Sequence, residues 1–271
     1  MSTGTRKLQP GDIEARITNA LSREDGLDPR SVQFLLRLYA TTGRDDLADA
    51  AGLALAAALR DYATAPSPVD RSAWLETFVD ARALADDPRV GEAIACLAAE
   101  LRGAWTDGSV VVAASALDAC VRAAMLDEHR SLAQPAVDQL ERIVKASYRP
   151  GSGVGHCADQ ITLAGALLSA YQLSGRLPYS MLAEELVAAA RPFMENECDL
   201  TTACHAVRAL CRLAALHSDD HYRRAAVVAP SSDYRREAVT LLERRSDEAA
   251  LGDAAAAAIY GVALLELESS T

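Results

Sequence analysis

The strongest constraint on this fold is a pattern repeated along the chain: an apolar helical run, a short polar turn, then a helix with a polar stripe. It begins at Ser31 with "SVQFLLRLYATTGRDDLADAAGLALAAAL" and recurs from Ala73, Ala113, Asp159 and Ala203. The turns fall near Gly43, Asp86, Asp127, Gly175 and Ser218, at intervals of 41 to 48 residues. Apolar residues spaced by three and four predict helices throughout. The period separates the chain from tetratricopeptide arrays, whose units are about 34 residues long.

Within each unit the two helices differ in kind. The first is apolar nearly all round, as in Ile161 to Tyr171, and the second carries polar positions such as Glu184, Glu185 and Arg191. A helix apolar on every side is enclosed by others, whereas a striped one faces water. The alternation therefore predicts an inner ring of helices wrapped by an outer ring. Five hairpins span about residues 30 to 247, the fifth running through "HYRRAAVVA", with "APSSDYRREAV" from Ala229 as a loop and helix extension. An amphipathic segment from Asp12 to Arg23 (apolar at Ile13, Ile17 and Leu21) and an apolar segment over 253–268 remain. Paired, they make a sixth hairpin. The expected fold is an all-α (α/α)6 toroid in one domain over 1–271, with residues 1–9 flexible and the N-terminal helix closing the ring against the C-terminal one. A closed ring needs no capping repeats.

Composition narrows the partners. The formal net charge of −11 and pI near 4.9 repel phosphate backbones and anionic lipid, so neither nucleic acid nor membrane is expected. Charged residues interrupt every apolar run before it could span a bilayer. The stretch "MSTGTRKLQPGDIEARI" lacks the apolar core of a signal peptide, which points to a cytoplasmic protein. Six cysteines, four of them inside apolar helical stretches, read as reduced thiols.

The segment "DQITLAGALLSAYQLSGRLPYSMLAEEL" followed by "ACHAVRALCRLAALHSDDHYRRAA" resembles the C-terminal toroid region of the thioredoxin-like, spermatogenesis-associated family, and more distantly N-acylglucosamine 2-epimerase-like proteins. The match covers about residues 155 to 228. It implies the six-hairpin fold. The thioredoxin half of that family, with its Cys-x-x-Cys, has no counterpart here, so the resemblance implies no redox activity.

In such a ring all inner helices start at one end. Those starts are Asp28 to Ser31, Asp70 to Trp74, Gly108 to Ser109, His156 to Gln160, Asp199 to His205 and Gly252 to Asp253. Converging helix N-termini favour an anionic or polyhydroxylated ligand. His156, Asp159 and His205 are the candidate acid-base residues, because two imidazoles and a carboxylate around one cavity suffice for proton abstraction and return. Trp74, Gln160, Asp199 and Asp253 are candidate substrate contacts. The competing assignment for the aspartates is helix capping, and for Trp74 the core. The charged pairs Glu76/Asp80, Asp118/Arg122 and Arg208/Arg212 either line the lumen or bridge helices.

Cys157 together with Cys204-His205 resembles the zinc ligand set of lanthionine-cyclase-like toroids, three protein ligands plus water being usual for catalytic zinc. That family has Trp before the first cysteine and Gly after the Cys-His pair. Here those places hold His156 and Ala206, so no metal and no cofactor is expected. The leading functional expectation is a small polar metabolite or carbohydrate-type binding protein, isomerase- or hydrolase-like, working from the funnel at the inner-helix N-termini. The alternatives are a non-catalytic toroid scaffold or partner subunit, and a zinc-dependent cyclase-like enzyme.

Overall fold

The computed structural model describes residues 8–22, 28–194, 197–226, 228–229 and 232–269, with the side chains of Leu21 and Ser22 excepted. These residues form helices and no strand. In chain order the helices are α1 (Pro10–Ser22), α2 (Pro29–Thr42), α3 (Asp45–Asp61), α4 (Pro68–Arg82), α5 (Pro88–Leu101), α6 (Val110–Ala123) and α7 (Ala133–Ser147). They continue with α8 (Cys157–Ser174), α9 (Leu177–Met194), α10 (Leu200–Ser218), the short α11 (Asp220–Ala225), α12 (Tyr234–Leu251) and α13 (Ala254–Ser269).

Local chemistry sets the helix ends. Asp28 and Asp199 accept from the backbone N–H groups of Ser31 (2.9 Å) and Thr202 (2.7 Å), and Ser67 accepts from Asp70 (3.1 Å), each filling a donor that a helix start leaves open. Proline follows the cap at Pro29, Pro68 and Pro88, where its fixed φ suits the first turn. Gly43 and Gly175 end α2 and α8 in the left-handed conformation, φ 62° and 68°.

The helices α2, α4, α6, α8, α10 and α13 pack in succession, and α13 returns to α2. Outside them lie α3, α5, α7, α9, α12 and α1, each against its inner partner. The molecule is an (α/α)6 toroid. Its seam lies where α1, α2 and α13 meet. Ile13, Ile17 and Phe34 are fully buried there, and a Cβ on Gly261 would come within 2.6 Å of the Phe34 ring and 3.1 Å of Ile13 Cδ1. Of the N-terminal stretch expected to be flexible, residues 1–7 lie outside the described ones. Leu8 is buried, and its N–H donates to Ser246 Oγ at 3.1 Å. Leu21, expected to extend the α1 stripe, and Arg23, expected to end the helix, fall beyond the described side chains.

Two features depart from the sequence reading. The outer partner of α10 is α12, not the stretch after the Ser218 turn, which forms only the six-residue α11. Glu184, read as part of a water-facing stripe, is fully buried. Its Oε2 accepts from the N–H groups of Val228 and Ala229 (3.1 Å each), and its Oε1 accepts from Tyr222 OH (3.1 Å). The loop between α11 and α12 folds over α9 and turns an exposed position into an interior one.

Candidate functional site

The axis of the ring is filled by charge. Arg30 donates to Glu76 Oε2 at 2.8 Å, Arg208 lies 3.6 Å from the same oxygen and 3.1 Å from Glu266 Oε2, and Arg37 bridges Glu266 (3.1 Å) to Asp80 (2.8 Å). This ladder of alternating sign crosses from α2 and α4 to α10 and α13. Gln33 adds a 2.8 Å bond to Asp80. Arg122 and Asp118 form a looser pair on α6, 3.7 Å apart. Arg212 has no carboxylate partner among the described residues; it donates to Gly165 O (3.2 Å) and Ser169 Oγ (3.1 Å).

Five arginines thus face four carboxylates, and the site titrates accordingly. Burial alone would raise the Glu76 carboxyl, but Arg30, Arg208 and Arg122 outweigh it and hold the group well below the usual range. Burial opposes ionisation of Glu266 too, yet Arg208, Arg37 and Arg122 keep it at about 2. His205 is pushed down to about 3, first by burial and then by Arg30 and Arg208, so it is neutral at pH 7. Burial, then the neighbouring Arg122, lowers Arg212 to about 10.

Two hollows follow the axis. The one toward the inner-helix N-termini is about 50 Å³, walled by Glu76, Ser115, Asp118, Thr162, His205 and Arg208 among others. The other, about 400 Å³, opens where the inner helices end. Its walls are Leu36 and Ala40 of α2, Val79 of α4, Leu84 just beyond it, and Met125 and Leu126 just after α6, with Arg37, Asp80 and Gln172 at the base. Arg122 lines both.

Of the residues expected at the N-terminal mouth, His205 lines the smaller hollow. His156 is exposed at the start of α8, where its N–H donates to Asp159 Oδ2 at 2.8 Å. Gln160 is buried, packed beneath the glycine loop where a Cβ on Gly153 would meet both its side chain and Ala189 of α9, and its Oε1 has no partner. Asp199 caps α10, and Asp253 accepts from Ala256 N at 2.9 Å ahead of α13. Trp74 is buried and stacks on Phe78, ring centroids 5.8 Å apart. Glu76/Asp80 and Arg208/Arg212 bridge helices, whereas Asp118 and Arg122 pair loosely with each other on α6. Arg30, Arg37 and Glu266 were not singled out from the sequence. Their signal was there: a lone charge in "FLLRLY" or "GVALLEL" sits in an enclosed helix and must find a buried partner.

Among the described residues, no three His, Cys, Asp or Glu side chains gather closely enough to hold a metal ion. The sulfur of Cys157 is within hydrogen-bonding reach of Cys198, and Cys204 is fully buried, its thiol pushed up to about 12 by burial. No described helix is long and apolar enough to cross a membrane.

By sequence, no family model and no curated protein matches this chain. By structure, the α-1,6-mannanase GH76A of Salegentibacter sp. HEL1_6 superposes with a TM-score of 0.67 at 12% identity, covering 96% of this chain and 99% of its own. Its inactive variant, with two adjacent aspartates replaced and in complex with α-1,6-mannotetrose, superposes equally well, at 0.67 and 12% identity over 97% and 99% of the two chains. The Lin0763 protein of Listeria innocua gives 0.66 at 14% identity, covering 89% of this chain and 83% of that one. The likeness is one of fold. It places the chain among six-hairpin toroids and leaves its chemistry to its own residues.

Proposed function

We propose that this protein is a non-catalytic, ligand-binding toroid: the architecture of a glycan hydrolase without the pair of free carboxyl groups that glycan cleavage requires, Asp118 alone on the axis being loosely held. The observation that carries the reading is the Arg30–Glu76–Arg208–Glu266–Arg37–Asp80 ladder. Glycosidases use two carboxyl groups flanking an open subsite, one of them protonated near neutral pH. Here Glu76 and Glu266 are held ionised by arginines, and Asp80 is bound by Arg37 and Gln33.

Space argues the same way. A hollow of about 50 Å³ holds a few waters, at roughly 10–15 Å³ each, and not a hexose ring. The Asp-Asp pairs among the described residues, Asp45–Asp46, Asp86–Asp87 and Asp219–Asp220, sit at turns where inner helices finish, away from the ladder. His205, neutral at pH 7, can donate or accept a hydrogen bond but is too weak a base for proton abstraction there.

The test is incubation of the protein with α-1,6-mannan and with aryl mannosides, following reducing ends and released phenol. No turnover above buffer is expected. Turnover that disappears in Glu76→Gln or Asp118→Asn would overturn the reading and restore the hydrolase alternative.

A further inference from the structure

Arg122 is the least satisfied charge on the axis. It stands in the last turn of α6, its side chain only 16% exposed, and its Nε is buried without a hydrogen-bond partner. Its sole ionic contact among the described residues is Asp118, 3.7 Å away, outside hydrogen-bonding distance. The Nε–H is therefore an unmet donor in a buried setting, which is costly. Arg37, nearby at the base of the same hollow, differs: both of its contacts are to carboxylates at hydrogen-bonding distance.

Above Arg122 stands the 400 Å³ hollow at the end of the ring, within the size range of small-molecule sites. Its walls are aliphatic. Leu36 is buried, Val79, Met125 and Leu126 are partly buried, and Leu84 is 40% exposed at the rim. An apolar pocket with a loosely paired cation at its floor, Arg122 standing 3.7 Å from Asp118, suits a ligand with the reverse polarity. The hollow suits a polyanion poorly, since beside Arg122 its lining offers the neutral Gln172 amide and Arg37, already bound to two carboxylates, and it suits a sugar poorly, since its walls are aliphatic.

We infer that the hollow at the inner-helix C-terminal ends binds a small apolar monocarboxylate, its carboxylate held by Arg122 and its aliphatic chain against Leu36, Val79, Leu84, Met125 and Leu126. A planar carboxylate matches the guanidinium fork, a charge-assisted contact stronger than a neutral one. Asp80 does not repel it strongly, because Arg37 and Gln33 already hold that carboxylate. The inference supplies a ligand class for the binding toroid proposed above and rests on that reading. Glycan turnover would defeat the non-catalytic reading, whereas the titration below bears on this site alone.

The experiment is calorimetric titration of the full chain at pH 7 with sodium butanoate, hexanoate and octanoate, with 1-hexanol and inorganic phosphate as comparison probes. Saturable binding is expected, tightening about four-fold per added methylene, with hexanol about ten-fold or more weaker than hexanoate. Arg122→Met should remove the preference for hexanoate over hexanol. Because Arg122 is buried, a second variant guards against misfolding: Leu84→Asp, at the exposed rim, should weaken octanoate far more than butanoate. Absence of octanoate binding, equal affinity for hexanol and hexanoate, phosphate binding as tightly as hexanoate, or a Leu84→Asp variant indifferent to chain length would each overturn the inference.

Discussion

The Nε2 atom of His217, near the end of α10, lies 2.8 Å from Oε1 of Glu184, which is fully buried in α9. The contact ties an inner helix to an outer one beneath the loop that leads to α12. The same carboxylate collects the hydroxyls of Tyr222 and Tyr234 and two backbone N–H groups, so five donors converge on one side chain.

Glu184→Gln replaces one of those acceptor oxygens with a donor that faces donors. We expect a loss of about 2–3 kcal/mol in chemical denaturation, from unmet buried groups rather than lost volume. Hydrogen exchange at the Val228 and Ala229 amides should accelerate more than at any helix centre. An unchanged exchange rate there would mean that the loop is held by something else.

Glu266 makes stability depend on acid. Its carboxyl sits at about 2 in the folded protein against 4.5 as a reference, so its contribution is complete above pH 4.5 and disappears as pH falls toward 2. Glu266→Gln should cost about 3 kcal/mol at pH 7, because Arg208 and Arg37 lose a shared buried partner. The gap between variant and wild type should close near pH 2. A gap that stays constant with pH would show that the ladder is not electrostatically coupled to folding.

His205 acts in a different window. Its folded value of about 3 lies below the reference of 6.5, so the unfolded chain binds the extra proton between these limits and stability falls as pH drops through them. His205→Asn should flatten the stability profile between pH 6.5 and 4.5, and only lessen the slope between 4.5 and about 3, where Glu266 also titrates. Urea midpoints measured across this range separate the two.

The seam is open to direct test. Ile13→Ala empties a fully buried site between α1 and α13, at about 2–5 kcal/mol, and for a chain of this length each kcal/mol lowers Tm by about 2–4 °C. Gly261→Val should be at least as harmful, since even a Cβ there meets the Phe34 ring at 2.6 Å. Removing residues 1–26 should lower Tm by more than either substitution. Melting curves that coincide with the wild type would argue against a sealed ring.

Much of the architecture was legible because it is written in periodicity. Enclosed and striped helices alternate at a steady interval, and Ile13 and Ile17 needed a partner that only 253–268 remained to provide. The site was less legible for a definite reason. Asp28, Asp199 and Asp253 mark helix starts, and the same residue type at the same place serves capping whether or not a ligand is near. Glu184 was misread because its burial depends on a loop more than forty residues away. The ladder was missed in part because Arg37 and Glu266 meet across the seam, and sequence distance hides that contact.

The closed ring also has a kinetic side. Every inner-helix contact but one joins neighbours in successive repeats, whereas α2 meets α13 across more than two hundred residues. Chain-closure entropy grows only slowly with length, so that last contact costs about 1.4 kcal/mol more than an ordinary one-repeat contact. Rate is the greater penalty: local hairpins can form early, while sealing waits for distant segments to meet. Refolding should therefore pass through an unsealed, crescent-shaped form whose exposed edges are the apolar faces of α2 and α13. Two such crescents could zip into each other before either closes on itself, so the ring's own geometry makes dilute refolding safer than concentrated refolding.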